Sequence, residues 1–400
     1  MNEKRILILS FYYRPDLCAG SFRTTALVEA LLEQQPSEIK IDVVTTLPNR
    51  YSSFDSQAQT QENDGQLNVH RIKLPPHHSG MLDQAKAFAH FAREVSKLAK
   101  DQRYDLVYAT SSRLMTATLG ARIASRANAP LYLDIRDIFV DTIKDVLPRK
   151  VAILLKPLFS AIELWTIKRA AHVNLVSRGF GPYFKARYPK QPLSYFTNGI
   201  DEEFLLQKAV NGSSTPEACR PISVLYAGNM GEGQGLHAIV PAIAQRLGDR
   251  VSFKLIGDGG RRPQLEKTLA ERGVNNVELV APMPREALVK EYLAADILFL
   301  HLNNYDAFKK VLPSKIFEYA ALGKPIWAGV SGYAAQFLAE EVSNAAVFSP
   351  CDAEQALKVF ERLDIRDAPR HTFVQKFSRK LIMRAMATDV LACVGQEIEL

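Results

Sequence analysis

The sequence has few cysteines and no long hydrophobic run. Its 400 residues include four cysteines, which lie far apart and form no C-x-x-C pair. This spacing is typical of reduced thiols in a cytosolic protein and argues against a disulfide framework or a zinc site. The longest apolar stretches, Val151–Leu155 and Ile297–Leu300, are far shorter than the ~18 residues that span a bilayer. No apolar h-region of the length found in signal peptides follows Met1–Arg5, so we expect no secretory signal.

Two motifs of nucleotide-using enzymes are also missing. The chain contains no D-x-D sequence, so a metal ion held by that motif is not expected. It also contains no G-x-x-x-x-G-K-S/T sequence, which argues against a P-loop. We therefore predict that the protein requires no metal.

Charge is distributed unevenly along the chain. Hydrophobic residues make up 47% and charged residues 23% of the sequence, which is close to the globular average and excludes disordered and fibrous classes. The net charge is +7, with +9 on residues 1–200 and −2 on residues 201–400. A basic N-terminal half suggests an anionic partner such as phospholipid, diphosphate or nucleic acid. The alternative is a domain that is basic without such a partner.

The order of predicted elements indicates two α/β domains. Apolar strands alternate with helices twice, and the Gly-, Ser- and Pro-rich segment Asn211–Pro221 separates the two series. This pattern predicts two doubly wound sheets facing across a cleft, with ligands beyond the carboxyl ends of the strands. We expect the first domain over 1–200 and the second over 201–370, followed by a final helix within 371–400.

Glycine follows two predicted strands of the second series. Tyr226–Gly235 and Gly257–Gly260 are both glycine-rich turns, and glycine lets backbone N–H groups approach a phosphate. One such turn is weak evidence, because tight strand-to-helix turns use glycine anyway. Two on one sheet favour nucleotide binding.

The segment Pro313–Pro325 has the most specific pattern. Lys315 lies in the first turn of a predicted helix, where acidic residues are preferred, so we expect Lys315 to face an anion. Glu318 lies three residues further on, and its carboxylate can accept both hydroxyls of a ribose. The alternative is an ordinary amphipathic helix with a solvated ion pair.

Together these segments resemble a known family. The chain resembles bacterial retaining glycosyltransferases of family four, which have the GT-B fold of two Rossmann-like domains. It is most similar to the branch that builds O-antigen and exopolysaccharide, which includes N-acetyl-fucosaminyl transferases. The segments that carry the resemblance are Tyr12–Arg23, Asp134–Asp137, Asn198–Asp201, Ala227–Asn229, Gly257–Gly259 and Pro313–Glu318.

The resemblance implies a function and a set of site residues. Residues 1–200 would form the acceptor-binding domain and residues 201–370 the nucleotide-sugar-binding domain, and the helix within 371–400 would pack back towards the first domain. A sugar would move from a nucleotide-sugar donor, UDP-linked, to a lipid-diphosphate-linked or saccharide acceptor with retention of configuration, without metal or other cofactor and without nucleic acid. Asp137, Arg136 and Lys315 would be catalytic. The donor-binding residues would be Gly20, Arg23, Gly228, Asn229, Gln234, Gly257, Asp258, Gly259, Arg261, Met283, Ser314, Lys315 and Glu318. The protein would be cytoplasmic and peripheral on the inner face of the inner membrane.

Three positions depart from the family pattern. Asn229 and Gln234 stand where many members carry an Arg and a Lys on the donor phosphates, and Lys310 stands where E-x7-E has its first Glu. Arg261 and Arg262 are candidates for the missing charge. One alternative is therefore a non-catalytic nucleotide-sugar-binding partner of another transferase. A second is a GT-B sugar-nucleotide epimerase, although the required histidine and carboxylate cluster is not visible.

The segment Val151–Arg187 mixes apolar and basic residues. An interfacial helix with such a composition lies on a membrane, and a lipid-linked acceptor calls for an anionic membrane surface. The alternative is that the apolar residues belong to the core. We expect a core position for Leu158, Ile162 and Trp165.

Overall fold

A computed structural model describes residues 3–35, 38–48, 58–75, 81–111, 114–141, 149–205 and 220–395. The chain divides into an N-terminal unit, Met1–Asn198 with Arg379–Leu400, and a C-terminal unit, Gly199–Ser378. The predicted linker lies outside the described residues except for its last two positions.

The N-terminal unit contains an eight-stranded sheet in the order β3-β4-β2-β1-β5-β6-β7-β8. Its strands are β1 (Lys4–Leu9), β2 (Ile39–Thr46), β3 (Gln61–Asp64), β4 (Leu67–Ile72), β5 (Leu106–Thr110), β6 (Leu131–Ile135), β7 (His172–Leu175) and β8 (Leu193–Ser194). All pairs are parallel except β3 with β4. The sequence pattern missed β3, because its residues QEND are polar and mostly exposed. The central strands are buried throughout, as expected for a sheet covered on both faces.

Helices connect these strands and cover the sheet. They span Ala19–Gln34, Met81–Leu98, Leu114–Ala127, Arg149–Lys168, Gly181–Arg187 and, at the end of the chain, Arg379–Ala392. The last of these helices packs against the helix Ala19–Gln34. Its residues Met383, Met386 and Val390 are fully buried in the core of the N-terminal unit. A segment that is remote in sequence therefore completes this core.

The single final helix expected within 371–400 is two helices in the structure. The helix His371–Lys376 belongs to the C-terminal unit, and the helix Arg379–Ala392 belongs to the N-terminal unit. Between them Phe377 is buried against Phe373 and Phe317, with ring centroids 4.6 and 5.4 Å apart. The chain leaves helical geometry at Phe377, and the two helices bury their apolar residues in separate units.

The C-terminal unit contains a six-stranded parallel sheet in the order β11-β10-β9-β12-β13-β14. Its strands are β9 (Ile222–Ala227), β10 (Val251–Ile256), β11 (Val277–Val280), β12 (Ile297–His301), β13 (Ile326–Gly329) and β14 (Ala345–Phe348). Its helices are Glu202–Leu205, Leu236–Leu247, Arg262–Glu271, Arg285–Ala294, Lys315–Ala321, Tyr333–Glu341, Ala353–Phe360 and His371–Lys376. The strand order reverses between β9 and β12, and ligands bind at such a switch point in doubly wound sheets.

The helix Arg149–Lys168 contains a proline, Pro157, and its buried side is not the one that we expected. Leu158 and Trp165, which we expected in the core, are 56% and 46% exposed, whereas Ile162 is half-buried. Helical spacing alone does not say which face of a helix is buried. None of the described helices is long and apolar enough to cross a membrane.

Candidate functional site

Two glycine turns interlock at the carboxyl edge of the C-terminal sheet. Gly228, after β9, donates its N–H to the Ile256 carbonyl at 2.8 Å, and Met230 donates to the Asp258 carbonyl at 2.8 Å. A Cβ atom at Gly257, where φ is +145°, would stand 1.8 Å from the Gly228 oxygen. Because backbone meets backbone here, no side chain fits at Gly257. The turns after β9 and β10 therefore form one continuous wall of main chain.

Lys315 lies across this wall. A Cβ atom at Gly228 would stand 2.5 Å from Lys315 Cε, so glycine at position 228 lets the lysine pass. The Lys315 ammonium lies 4.0 Å from Glu318 Oε2, and its side chain is 22% exposed. Burial lowers the pKa of Lys315, and the attraction of Glu318 offsets only part of that effect. Lys315 is thus a partly desolvated cation with one distant counter-ion among the described residues.

Glu318 also has only long contacts. The Tyr292 hydroxyl lies 3.5 Å from Glu318 Oε2, beyond the usual range for such a bond. The Glu318 side chain is 13% exposed, so it does not stand in open solvent as the alternative of a solvated ion pair would require. Among the described side chains, none makes a short hydrogen bond to this carboxylate. Its oxygens remain available to hydroxyl donors.

Asn229 and Gln234 close the turn after β9. Asn229 Nδ2 donates to Gln234 Oε1 at 2.8 Å, and the Tyr226 hydroxyl donates to the Asn229 carbonyl at 2.7 Å. The structure thus pairs the two residues that depart from the family pattern. Two neutral amides hold the loop where two cations stand in many family members.

Arg261 does not replace that missing charge. Its guanidinium forms an ion pair with Glu232 and donates to Gln264 Oε1 at 2.9 Å. The Tyr305 hydroxyl donates to Glu232 Oε1 at 2.5 Å and, together with Arg261, holds the pKa of Glu232 below its usual value. Arg262 braces the neighbouring turn by donating to the Gly257 carbonyl at 2.8 Å. Both arginines therefore have protein partners. Among these cations at the carboxyl edge of the C-terminal sheet, Lys315 has the charge that its neighbours neutralise least.

The sequence analysis missed Glu232, Tyr305 and His301. His301 ends β12, where its Nδ1 lies 2.7 Å from the Gln234 carbonyl and its Nε2 accepts from Cys351 N–H at 3.0 Å. The second contact requires an unprotonated Nε2, so Nδ1 is the donor. Burial lowers the pKa of His301 to about 4. The polar residues that follow the buried strand β12 were the available sequence signal for this cluster.

Three further predicted residues lie in loops at the same edge. Asp258 follows β10, and its Oδ1 accepts the Gly259 N–H at 2.7 Å. Met283 is half-buried in the loop after β11. Ser314 precedes the helix Lys315–Ala321, and its side chain makes no capping bond. All predicted donor-binding residues of the C-terminal unit therefore lie in the loops at the carboxyl ends of strands or directly after them.

Arg23, in the N-terminal unit, has a structural role. It is 1% exposed, and its Nε and Nη2 donate to the two Asp134 carboxylate oxygens at 2.7 and 3.0 Å. Two more of its N–H groups donate to the carbonyls of Thr197 and Phe196, both at 2.8 Å. Although burial opposes it, the Arg23 charge holds the pKa of Asp134 below its usual value. This placement corrects the prediction that Arg23 binds the donor.

Arg136 and Gly20 meet at the carboxyl edge of the N-terminal sheet. A Cβ atom at Gly20 would stand 3.0 Å from Arg136 Nη1, so glycine leaves room for the guanidinium at the start of the helix Ala19–Gln34. Arg136 Nη1 is buried without a hydrogen-bond partner in the described part of the chain. Because Asp134 is already bonded by Arg23, Arg136 is a second cation beside one carboxylate. Asp137 is exposed, and no described group forms an ion pair with it.

No group of three or more His, Cys, Asp or Glu residues within the described ranges could hold a metal ion. The described side chains and turns at the two sheet edges offer the chemistry of cations, amide N–H groups and carboxylates. At the edge of the C-terminal sheet it suits a ligand with an anionic group and hydroxyls. At the edge of the N-terminal sheet, Arg136 suits an anion.

The fold and these edges define a two-domain protein with two doubly wound α/β sheets. Residues 23–199 match the family described as "Glycosyl transferase 4-like domain". Residues 213–376 match the family described as "Glycosyl transferases group 1". The chain belongs to the glycosyltransferases of the GT-B fold, with a 4-like N-terminal domain and a group 1 C-terminal domain.

One curated relative matches over a short stretch. It is described as a candidate colanic acid biosynthesis glycosyl transferase, WcaI, of Escherichia coli (strain K12), and is 36% identical over 101 residues. That stretch covers 25% of this chain and 24% of the relative. The match is consistent with the family but spans about a quarter of either protein.

Solved structures with the same fold cover nearly the whole chain. The sucrose-phosphate synthase of Thermosynechococcus elongatus has a TM-score of 0.75 at 15% identity, covering 98% of this chain and 99% of its own. Alr3699/HepE of Anabaena in complex with UDP-glucose has a TM-score of 0.66 at 16% identity, covering 97% and 99%. WaaG, described as involved in lipopolysaccharide biosynthesis, has a TM-score of 0.62 at 14% identity, covering 96% and 94%. At these identities the likeness shows the fold alone.

Proposed function

We propose that the protein transfers a sugar from a nucleotide-sugar donor, UDP-linked, to a lipid-diphosphate-linked or saccharide acceptor in cell-surface polysaccharide synthesis. The observation that carries the proposal is Lys315, a partly desolvated ammonium lying across Gly228 in a wall of glycine turns. A nucleoside diphosphate supplies the anion that this ammonium lacks. The structures of HepE in complex with UDP and glucose and with UDP-glucose support UDP as the nucleotide.

The chemistry follows from where charge develops. The bond between the anomeric carbon and the leaving phosphate oxygen breaks, and a bond from the acceptor oxygen to that carbon forms. The departing diphosphate gains negative charge, so a fixed cation at its position lowers the barrier. Lys315 is the proposed cation on the donor side, and Gly20 with Arg136 forms a second anion-binding element in the N-terminal unit.

Retention of configuration needs no side-chain base in this proposal. The acceptor hydroxyl proton passes to the leaving phosphate oxygen on the same face of the sugar, so atoms and charge balance without a protein base. Asp137, exposed near Arg136, is assigned to orienting the acceptor hydroxyl. The product then has the same anomeric configuration as the donor.

The lipid-linked acceptor requires a membrane surface, so we place the protein on the cytoplasmic face of the inner membrane. The +9 charge of residues 1–200 supports an anionic lipid surface. The relatives named for colanic acid and lipopolysaccharide support a role in cell-surface polysaccharide.

One experiment tests the transfer. The purified protein is incubated with a panel of UDP-sugars, and UDP release is followed with and without saccharide or lipid-diphosphate acceptors. Release that Lys315→Met abolishes and Lys309→Met leaves unchanged supports the proposal. NMR of the product anomer tests retention. UDP-sugar conversion to its epimer without UDP release contradicts transfer.

A non-catalytic donor-binding partner is the second candidate. The Asn229–Gln234 amide pair favours it, because neutral groups stabilise a departing diphosphate less than cations do. Calorimetry distinguishes the two. Tight UDP-sugar binding without any release across the panel identifies the binding partner and refutes the enzyme.

A further inference from the structure

The helix Arg149–Lys168 carries most of its apolar residues on its exposed side. Six of the ten large hydrophobic side chains exposed in the described part of the chain lie on it. We define these six as the outer face: Val151, Ile153, Leu154, Leu158, Leu164 and Trp165. Leu154 is 76% and Ile153 65% exposed. Contiguous exposed apolar surface of this kind marks an interaction site.

The inner side of the same helix is partly polar. Glu163 and Thr166 are buried. The hydroxyls of Tyr183 and Tyr188 both donate to Glu163 Oε1 at 2.7 Å, and the Thr166 hydroxyl lies 3.0 Å from that of Thr118. If the helix rotated so that the outer face became buried, all three of these contacts would break. The outward orientation of the outer face is therefore fixed by buried hydrogen bonds.

The exposed charged side chains described on this helix are all positive. Lys150, Lys156 and Lys168 are exposed, whereas Glu163, the one acidic residue of this helix, points inward. Lys150 and Lys168 are eighteen residues apart, which is five turns or about 27 Å, so they lie on one stripe at the two ends of the face. Lysines at these positions can lay the aliphatic part of their side chains along an apolar surface while their ammonium groups reach polar groups.

We infer that the outer face inserts into the headgroup–acyl boundary of an anionic bilayer, with the helix axis parallel to the membrane. Apolar residues including tryptophan, flanked by lysines and free of exposed acids, match an interfacial helix. A protein partner is the less favoured occupant. The outer face and its flanking lysines offer no exposed acidic side chain that could pair with basic groups of a protein. The inference deepens the membrane part of the proposed function and rests on it.

Tryptophan fluorescence tests the insertion directly. The chain has two tryptophans; Trp165 is exposed on the outer face, and Trp327 is fully buried in the C-terminal unit. Vesicles of equal parts phosphatidylcholine and phosphatidylglycerol should shift the emission to shorter wavelength, and acyl chains brominated near the headgroup should quench it. Trp165→Phe should abolish both effects, since Trp327 stays buried. Co-sedimentation without quenching would overturn the inference.

Paired variants test the residues. Leu154→Gln with Leu158→Gln should weaken vesicle partitioning at least about 10-fold, because two side chains lose apolar burial. Leu381→Gln, which changes an equally exposed leucine on another helix, should leave partitioning unchanged. Lys156→Glu should weaken both the binding to vesicles and the dependence of that binding on salt concentration. Lys290→Glu, in the C-terminal unit, should have a much smaller effect on both.

The assay contains neither donor nor acceptor, so its failure leaves the transfer reaction of soluble substrates untouched. Wild-type protein that ignores these vesicles at low salt overturns the inference. So does a Leu154→Gln, Leu158→Gln variant that binds like wild type. Sedimentation that finds a wild-type dimer and a monomeric variant, without vesicle binding, would assign the outer face to a second copy instead.

Discussion

We expect Lys315→Met to weaken the binding of UDP without lowering the stability of the free protein. Methionine keeps the length and the apolar stem that crosses Gly228 but removes the ammonium. A hydrogen bond to a charged group contributes about 1.5–3 kcal/mol, which corresponds to a loss of roughly 10- to 150-fold in UDP affinity. The same change removes a charge that burial disfavours, because the pKa of Lys315 is lowered in the folded protein.

The sign of the stability effect follows from that pKa shift. Burial of the Lys315 ammonium destabilises the folded protein fully at any pH below its lowered folded-state pKa. The cost decreases as pH rises from that pKa towards the ordinary lysine value, and above that value it is gone. We therefore expect Lys315→Met to melt at the same temperature as wild type or slightly higher, while binding UDP much more weakly.

Calorimetric titration with UDP and thermal unfolding of the free protein measure the two effects. Lys309→Met is the matched control, because Lys309 is exposed and paired with Asp306 at 2.8 Å; it should change neither quantity. Wild-type UDP affinity in Lys315→Met would refute the placement of the diphosphate at Lys315. A melting temperature several degrees lower would show that Lys315 is a structural ion-pair partner of Glu318.

Four further outcomes follow from the described contacts. Glu318→Gln should weaken UDP binding roughly 10-fold or more but leave binding of 2′,3′-dideoxy-UDP unchanged; equal losses for both ligands would disprove the ribose contact. Arg23→Met should destabilise the protein by about 3–5 kcal/mol in urea unfolding, because it leaves the buried Asp134 carboxylate unpaired. Stability should fall by up to about 3 kcal/mol as pH drops from 6.5 to 4, because His301 is neutral in the fold with a pKa of about 4; an unchanged slope in His301→Asn would count against this origin. UDP release should persist in excess EDTA, and loss that magnesium restores would point to a metal site.

The sequence by itself determined the class of fold. Strands that are apolar throughout, such as Leu106–Thr110, must be covered on both faces, so the parallel sheets were predictable from local composition. The glycine turns after β9 and β10 were predictable too, because their backbone geometry demands glycine. Lys315 was identified because a cation is disfavoured at the start of a helix, and Glu318 because it lies three residues further on.

Only the tertiary structure decided which polar groups are already used. Arg23 and Arg261 look like donor ligands in sequence, yet Asp134 and Glu232 bind them in the fold. The partner of Arg23 is 111 residues away, and no local pattern encodes such a pairing. His301 and Tyr305 were missed for the same reason.

The helix Arg149–Lys168 shows the same division most clearly. Its composition predicted a helix with one apolar side, and the usual preference would bury that side. The structure buries Glu163 instead, because two tyrosine hydroxyls from a later segment satisfy its carboxylate. Local periodicity determines that a helix has two sides, but only long-range hydrogen bonds and packing determine which side faces the core.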